Sequence, residues 1–143
     1  MNQNSSGYGP NTTDYGPEPY ITNINLMAKR NPYFRTTLWT GQHLQVTLMC
    51  IPMGSDIGLE QHHVDQYVRI EEGCGKAMMG TSQDNLDFQK TVYENSVIFV
   101  PAGYFHNITN CGNTPLKISS LYAPPQHPRG TVHETKALAE ESH

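Results

Sequence analysis

Short runs of apolar and β-branched residues, each closed by glycine, proline or asparagine, recur along the chain between residues 34 and 123. Within residues 43–51, every second residue is expected to share one face of a strand, and Leu44, Val46 and Leu48 lie on one such face. No long helical pattern interrupts these runs. Many short strands, separated by turn residues at intervals of roughly 8–12 residues, are typical of a sandwich or barrel. We therefore predict an all-β fold.

The polar stretch that starts at Glu60 indicates which side chains share a face. Alternate residues of a strand point to the same side of a sheet, so Glu60 and His62 point one way and His63 the other. The next strand is predicted from Gln66 to Glu72, with Gln66 on its apolar face. The parity makes His62, rather than His63, the inward-facing imidazole.

The N-terminal residues differ from the rest in composition. Residues 1–20 are rich in Asn, Ser, Gly, Thr and Pro, and such a segment buries too little apolar surface to offset the entropy of ordering. We predict a flexible tail there. The alternative is an arm across a dimer partner, anchored by Tyr8, Tyr15 and Tyr20. Residues 21–31 then form either a single helical turn or an edge segment, ending at a proline.

The C-terminal residues 124–143 are predicted to form an extended cover strip and a short helix over 134–141, after a barrel that spans 21–123. Proline and glycine dominate the first part of this strip. It carries His127 and His133, which are either surface histidines or proton-transfer groups folded over the barrel mouth.

Composition excludes several functional classes. The chain has 143 residues, which is the size of one domain, with 15% charged residues and a formal net charge of -4. This charge argues against nucleic-acid binding, which needs a basic patch. We find no apolar run of membrane-spanning length and no signal-peptide pattern. We therefore expect a cytoplasmic protein that acts on a small molecule and contacts neither nucleic acid nor membrane.

The three cysteines, Cys50, Cys74 and Cys111, lack the spacing of a metal site. We interpret them as reduced thiols of an intracellular protein, with a disulfide between two of them as the alternative.

Two motifs carry the candidate chemistry. In the first, Gly54 is followed after five residues by Glu60 and His62, then by Gln66 and, six residues later, by Gly73.

The second motif reads Asn95, five residues, Pro101 and Gly103, two residues, His106, three residues, Asn110. Together, over roughly residues 35–123, the two motifs resemble those of the cupin superfamily. Glu60 stands where that family usually has its first His, and Gln66 where it usually has Glu. Asn95 replaces a glycine, and Asn tolerates the left-handed conformation better than most residues.

The resemblance implies a jelly-roll, double-stranded β-barrel that commonly pairs into a homodimer. It also implies that Glu60, His62, Gln66 and His106 hold one divalent metal ion per chain. Two nitrogen and two oxygen donors suit Zn²⁺, Mn²⁺, Fe²⁺, Co²⁺ or Ni²⁺.

The ligand types favour an isomerase or epimerase that acts on a small sugar-like or carbonyl substrate. The zinc-dependent phosphomannose isomerases are cupins with one Gln, one Glu and two His, the same types in another order. Small bacterial cupins of this kind are often labelled mannose-6-phosphate isomerase-like. The metal would polarise a carbonyl and stabilise an enediolate, and a nearby side chain would move the proton. Candidates for that group are His133, His127, Tyr67 and Lys76.

Two alternatives stay open. One carboxylate and two histidines form a familiar iron triad, so Glu60, His62 and His106 would serve an Fe²⁺ dioxygenase with Gln66 distant from the metal. The other alternative is a non-catalytic cupin that binds a ligand or contributes to a structure.

Overall fold

Ten strands and two short helices make up residues 10–141, the part of the chain that the computed structural model describes. In chain order they are α1 (Ile24–Arg30), β1 (Arg35–Thr40), β2 (Gln45–Ile51), β3 (Glu60–Gln61), β4 (Asp65–Glu72), β5 (Gly75–Gly80), β6 (Phe88–Val92), β7 (Val97–Val100), β8 (Phe105–Asn110), β9 (Leu116–Ala123), β10 (Val132–His133) and α2 (Lys136–Glu141).

The strands form two antiparallel sheets. One has six strands in the order β10-β1-β2-β9-β4-β7, and the other has four in the order β3-β8-β5-β6. Buried apolar side chains from both sheets form the main core between them. The predicted all-β jelly-roll barrel is confirmed. Among residues 10–141, no helix is long and apolar enough to cross a membrane.

Strand β2 shows how alternation assigns its side chains to two cores. Met49 and Ile51 belong to the main core inside the barrel, whereas Leu48 packs in a second, smaller cluster with Leu38 and Ala28. That second cluster lies under α1. The apolar face predicted from residues 43–51 is therefore the outer face of β2, covered by the helix.

Helix α1 confirms the helical alternative for residues 21–31. Asn23 caps it, because its side chain accepts a hydrogen bond from the backbone N–H of Leu26 at 3.0 Å. The basic residues Lys29 and Arg30 lie in the last turn, where they complement the helix dipole.

Residues 10–20 differ from the flexible tail that composition predicted. The Asp14 carboxylate is buried and accepts hydrogen bonds from the backbone N–H groups of Gly16, Thr40 and Gly130. The rings of Tyr15 and Tyr20 stack with their centroids 4.2 Å apart and pack on the second cluster of their own chain. Specific hydrogen bonds thus order a segment that has little apolar surface. Tyr8, with the rest of residues 1–9, lies outside the described residues.

The turn residues behave as the two motifs require. Asn95 has a φ of 73°, so it takes the left-handed conformation that the motif usually assigns to glycine. Gly73 has a φ of 100°, and a Cβ there would lie 3.0 Å from the Pro115 carbonyl oxygen. These turns lead the chain between the two sheets.

The barrel interior changes character along its length. At one end, apolar residues of neighbouring strands lie side by side, as in the pairs Ile51–Leu116 and Ile70–Ile118. At the other end the same strands place Gln45 and Gln66 on either side of Tyr122. We call these the apolar end and the polar end. The predicted metal ligands lie at the polar end.

Candidate metal centre

Three of the four predicted ligands come together at the polar end. Glu60 of β3 and His106 of β8 are direct cross-strand partners, and His62 follows β3 on the same side as Glu60. Glu60 Oε1 lies 3.5 Å from His62 Nε2 and 3.6 Å from His106 Nε2. One ligand atom from each of the three residues lies within 4.8 Å of the others. His63 is exposed, as the parity predicted.

Arg35 of β1 orients the carboxylate. Its Nη2 donates to Glu60 Oε2 at 2.7 Å, and its side chain is only 2% exposed. Burial by itself would raise the pKa of Glu60, but the imidazoles of His106 and His62 and the charge of Arg35 outweigh it and hold this pKa well below its ordinary value. Glu60 is therefore an anion with Oε2 engaged and Oε1 turned toward the two imidazoles.

Unpartnered polar atoms support the fit of a cation to this site. Both ring nitrogens of buried His106 and the Oε1 of buried Gln66 lack a hydrogen-bond partner among residues 10–141. Buried polar groups of folded proteins are normally paired, so such atoms call for an explanation. A metal ion coordinated by His106, His62 and Glu60 would use a ring nitrogen of His106 that is otherwise left unsatisfied. Gln66 lies beside Tyr122 on the interior face of β4, next to this group.

His127 completes the polar end from the C-terminal strip. Its ring centroid lies 6.4 Å from that of His62 and 5.4 Å from that of Tyr122. Burial, reinforced by the positive charge of Arg35, lowers the pKa of His127 to about 4. This imidazole is therefore neutral at pH 7, and its Nε2 is buried without a hydrogen-bond partner in the described part of the chain.

Buried Gln45 fixes the position of that histidine. Its Nε2 donates to the His127 carbonyl oxygen at 2.7 Å, and its Oε1 accepts the backbone N–H groups of Gln126 and His127, both at 3.0 Å. The strip is thus held on β2 by the peptide groups around His127, which leaves the imidazole to face the site.

The other three proton-transfer candidates occupy different places. His133 pairs with β1, and its Nδ1 lies 3.4 Å from Arg35 Nη1, so it contacts the site through the arginine. Tyr67 packs edge-on against the exposed ring of Phe99, and Lys76 is exposed. Strand alternation places both side chains outside the barrel, because their neighbours Gln66 and Ala77 take the inward positions. Tyr67 and Lys76 therefore lie on outer faces, away from the three converging side chains.

Sequence reasoning missed Arg35, Gln45 and Tyr122. Arg35 stands in a β-branched and aromatic run, where a charged residue is a signal of a buried partner. Gln45 and Tyr122 share an interior register position that becomes visible only when β2 and β9 are paired. Tyr122 is buried, and burial raises its pKa, so the phenol stays protonated.

Comparisons with known proteins agree with this architecture. Residues 31–139 match the family described as Cupin. The uncharacterized protein YrkC of Bacillus subtilis (strain 168) is 62% identical over 127 residues, which cover 88% of this chain and 68% of YrkC. The crystal structure of BH2720 from Bacillus halodurans is 59% identical with a TM-score of 0.89, over 90% of this chain and 98% of that one.

A more distant likeness concerns the fold alone. The Bacillus subtilis oxalate decarboxylase, which has Mn(II) centres, aligns with a TM-score of 0.54 and 14% identity, over 65% of this chain and 24% of that chain. Since the family match spans both motifs and the three converging side chains, this chain belongs to the cupin family.

Proposed function

We propose that this cupin binds one divalent metal ion through Glu60, His62 and His106 and acts as an isomerase or epimerase on a small sugar-like or carbonyl substrate. The observation that carries the proposal is the convergence of those three side chains at the polar end of the barrel, with the neutral imidazole of His127 beside them.

The donor set suits the ions of the mid and late first transition row, namely Mn²⁺, Fe²⁺, Co²⁺, Ni²⁺ or Zn²⁺. When bound, such an ion supplies a Lewis acid that polarises a substrate carbonyl. Arg35 holds the carboxylate in place from behind, as the supporting groups of metal sites commonly do. Gln66 is a fourth donor in this proposal, because its buried Oε1 has no other partner among residues 10–141.

An isomerase must also move a proton between neighbouring carbons. His127 suits this role, because one neutral imidazole can take the proton from the first carbon and then deliver it to the second. Gln45 positions it by holding the peptide groups on either side of its Cα. His133 is the second candidate, since its Nδ1 lies 3.4 Å from Nη1 of Arg35, the residue that holds Glu60.

Charge argues for a substrate without phosphate. Arg35 already neutralises Glu60, and Arg69 is engaged with Glu71 on another face. Arg129 donates to the carbonyl oxygens of Gly16 and Asp14. These cations are committed to protein partners, whereas phosphate recognition needs Arg or Lys donors that face the ligand. We therefore favour an uncharged polyhydroxylated or carbonyl compound over mannose 6-phosphate.

An Fe²⁺ dioxygenase is the second candidate. The converging set of one carboxylate and two imidazoles matches the triad of non-haem iron oxygenases. It predicts iron in the purified protein and substrate-dependent oxygen uptake, whereas the isomerase predicts neither. A homodimer remains a prediction for both.

Metal content tests the common part of both candidates. Tag-free protein is analysed by elemental mass spectrometry beside Glu60→Ala, His62→Ala and His106→Ala, with exposed His63→Ala as the matched control. We expect about one metal ion per chain in the wild type and in His63→Ala, and loss of the ion in the other three. Circular dichroism verifies that each variant is folded. A wild type that takes up no divalent ion after incubation contradicts the site and favours a non-catalytic cupin.

Solvent-proton exchange then separates isomerase from oxygenase. The metal-loaded protein is incubated in D₂O with a panel of aldoses, ketoses and their phosphates, and NMR follows deuterium next to the carbonyl. We expect metal-dependent exchange with unphosphorylated compounds. Exchange with mannose 6-phosphate and formation of fructose 6-phosphate would instead support the phosphomannose isomerase label.

A further inference from the structure

Two cysteines face each other at the apolar end, away from the metal centre. Cys74 lies in the turn between β4 and β5, and Cys111 directly follows β8. Their sulfur atoms are 3.3 Å apart, and both are free thiols. Cys111 is exposed and Cys74 half-buried, so reagents in solution have access to the pair.

The strand register sets the backbone geometry of this pair. The β5–β8 ladder ends with the partners Gly75 and Asn110, and the backbone N–H of Cys111 donates to the Cys74 carbonyl at 3.2 Å. This hydrogen bond sets the two cysteines opposite each other, one step beyond the last pair of the ladder. Cα atoms of directly opposite residues in antiparallel strands are about 4.5–5.5 Å apart, inside the range of about 4.4–6.8 Å found in disulfides.

The turn that carries Cys111 is held in place by its neighbours. The Asn110 side chain accepts from the Gly112 N–H and donates to the carbonyl oxygens of Thr114 and Ile51. Gly112 packs so closely that a Cβ there would lie 3.3 Å from the Cys74 Cβ. The two thiols thus remain close together without any need for the barrel to rearrange.

We infer that Cys74 and Cys111 form an oxidation site that a hydroperoxide or a low-molecular-weight disulfide converts to an intramolecular disulfide. The hydrogen bond with Cys111 raises the pKa of Cys74, so we assign the first attack to the more exposed Cys111. Its thiolate takes the terminal oxygen of the hydroperoxide, which leaves a sulfenic acid and releases an alcohol or water. The Cys74 sulfur displaces water from that sulfenic acid. Two thiols and one organic hydroperoxide therefore give one disulfide, one alcohol and one water, and hydrogen peroxide gives one disulfide and two waters.

A low-molecular-weight disulfide oxidises the pair in two thiol–disulfide exchange steps. Cys111 attacks one sulfur of the reagent and releases one thiol, and Cys74 then displaces the second. The protein thiols are oxidised and the reagent disulfide is reduced to two thiols.

The bond would join two crossovers between the sheets. The turn at Cys74 leads from the six-stranded to the four-stranded sheet, and the turn at Cys111 leads back. A disulfide here closes a loop across both sheets and restricts the unfolded chain, so the oxidised protein should melt on the order of 5–10 °C higher than the reduced protein. The apolar end would thereby gain a redox-sensitive covalent link.

Oxidation followed by peptide mapping tests the inference. The full chain is treated with hydrogen peroxide or oxidised glutathione, the remaining thiols are alkylated, and peptides are mapped without reduction. We expect a Cys74–Cys111 cross-linked peptide, with Cys50 still available for alkylation after denaturation. The Cys50→Ser variant is the matched control and should form the same link, whereas Cys111→Ser should not.

Melting temperature gives an independent readout. Oxidation should raise it in the wild type and in Cys50→Ser, dithiothreitol should reverse the rise, and Cys111→Ser should show none. The inference is overturned if both thiols stay alkylatable under conditions that oxidise a free dithiol, if only intermolecular links form, or if the link includes Cys50.

Discussion

The two ends of the barrel interior share strands β2, β4 and β9 but differ in what their side chains do. At the apolar end, Ile51, Ile70 and Ile118 fill the space between the sheets. At the polar end, Glu60 and His106 occupy corresponding inward positions of β3 and β8, and buried polar atoms of His106 and Gln66 lack hydrogen-bond partners among residues 10–141. One end therefore stabilises the barrel, and the other carries groups whose burial costs stability.

This difference indicates how the fold supports a polar site. Arg35 offsets the charge of Glu60, and Gln45 satisfies the peptide groups around His127. The unsatisfied buried atoms of His106, Gln66 and His127 surround the region that we assign to metal and substrate. The apolar end has to supply the stability that these atoms do not, so mutations at the two ends should have separable effects.

Ile118→Ala should have the largest effect on stability. Ile118 is 1% exposed at the centre of the main core, and truncation of such a residue leaves a cavity that costs about 4 kcal/mol. Urea denaturation measures the free energy of unfolding, with Ile21→Ala, at a residue that is 99% exposed, as the control. The metal content of the folded fraction should stay that of the wild type. If Ile118→Ala lost metal while still folded, the two ends would not be independent.

His127→Gln should act on the chemistry and spare the barrel. If His127 moves the proton, its loss lowers kcat about 100-fold, or about 2.7 kcal/mol in the barrier, while bound metal is retained. Exposed His63→Gln is the matched control. Deuterium exchange into the substrate, metal content and urea denaturation are measured on the same preparations. A variant that loses metal together with activity would assign His127 a role in holding the ion, and unchanged exchange would exclude it as the proton-transfer group.

The residues that were predictable from sequence are those whose role follows from local pattern. Alternation placed Glu60 and His62 on one side and His63 on the other, and motif spacing selected His106. Asn95 was recognisable as a left-handed turn residue for the same local reason. The two-residue period says which residues share a face. It does not say which face of a strand turns inward, so it could not show that Lys76 lies on an outer face.

Longer-range contacts were beyond the reach of these patterns. The partly buried ion pair of Arg35 with Glu60 joins β1 to β3, and the contact of Gln45 with His127 joins β2 to the C-terminal strip. Only the pairing of strands distant in sequence creates such contacts. The order of residues 10–20 was missed for the same reason, because composition reports how little apolar surface the segment has and not that Asp14 meets Thr40 and Gly130.

Asp14→Asn should have a smaller effect than Ile118→Ala or His127→Gln, and its effect on stability should depend on pH. The carboxylate accepts from Gly16 and Thr40 through Oδ1 and from Thr40 and Gly130 through Oδ2, so an amide places an N–H₂ group against donors. We expect a loss of about 1–2 kcal/mol at pH 7. Asp84→Asn, at an exposed carboxylate in the β5–β6 loop, is the control.

The pH dependence of that loss follows from the direction of the Asp14 pKa shift. Burial by itself raises the pKa of Asp14, but hydrogen bonds from Thr40, Thr37, Gly16 and Gly130 outweigh it and leave the folded pKa below the ordinary value. A carboxylate with a depressed folded pKa stabilises the protein fully above its unfolded pKa of about 3.9, and this stabilisation disappears as the pH falls through the lower folded value. The difference in unfolding free energy between wild type and Asp14→Asn should therefore be largest at neutral pH and shrink in acid, as urea denaturation at pH 7 and pH 3 would measure.

The variant should also loosen the C-terminal strip at the polar end, because Arg129 and Gly130, two and three residues after His127, bind the segment that contains Asp14. A difference that stayed constant with pH would mean that Asp14 acts through its shape and not through its charge.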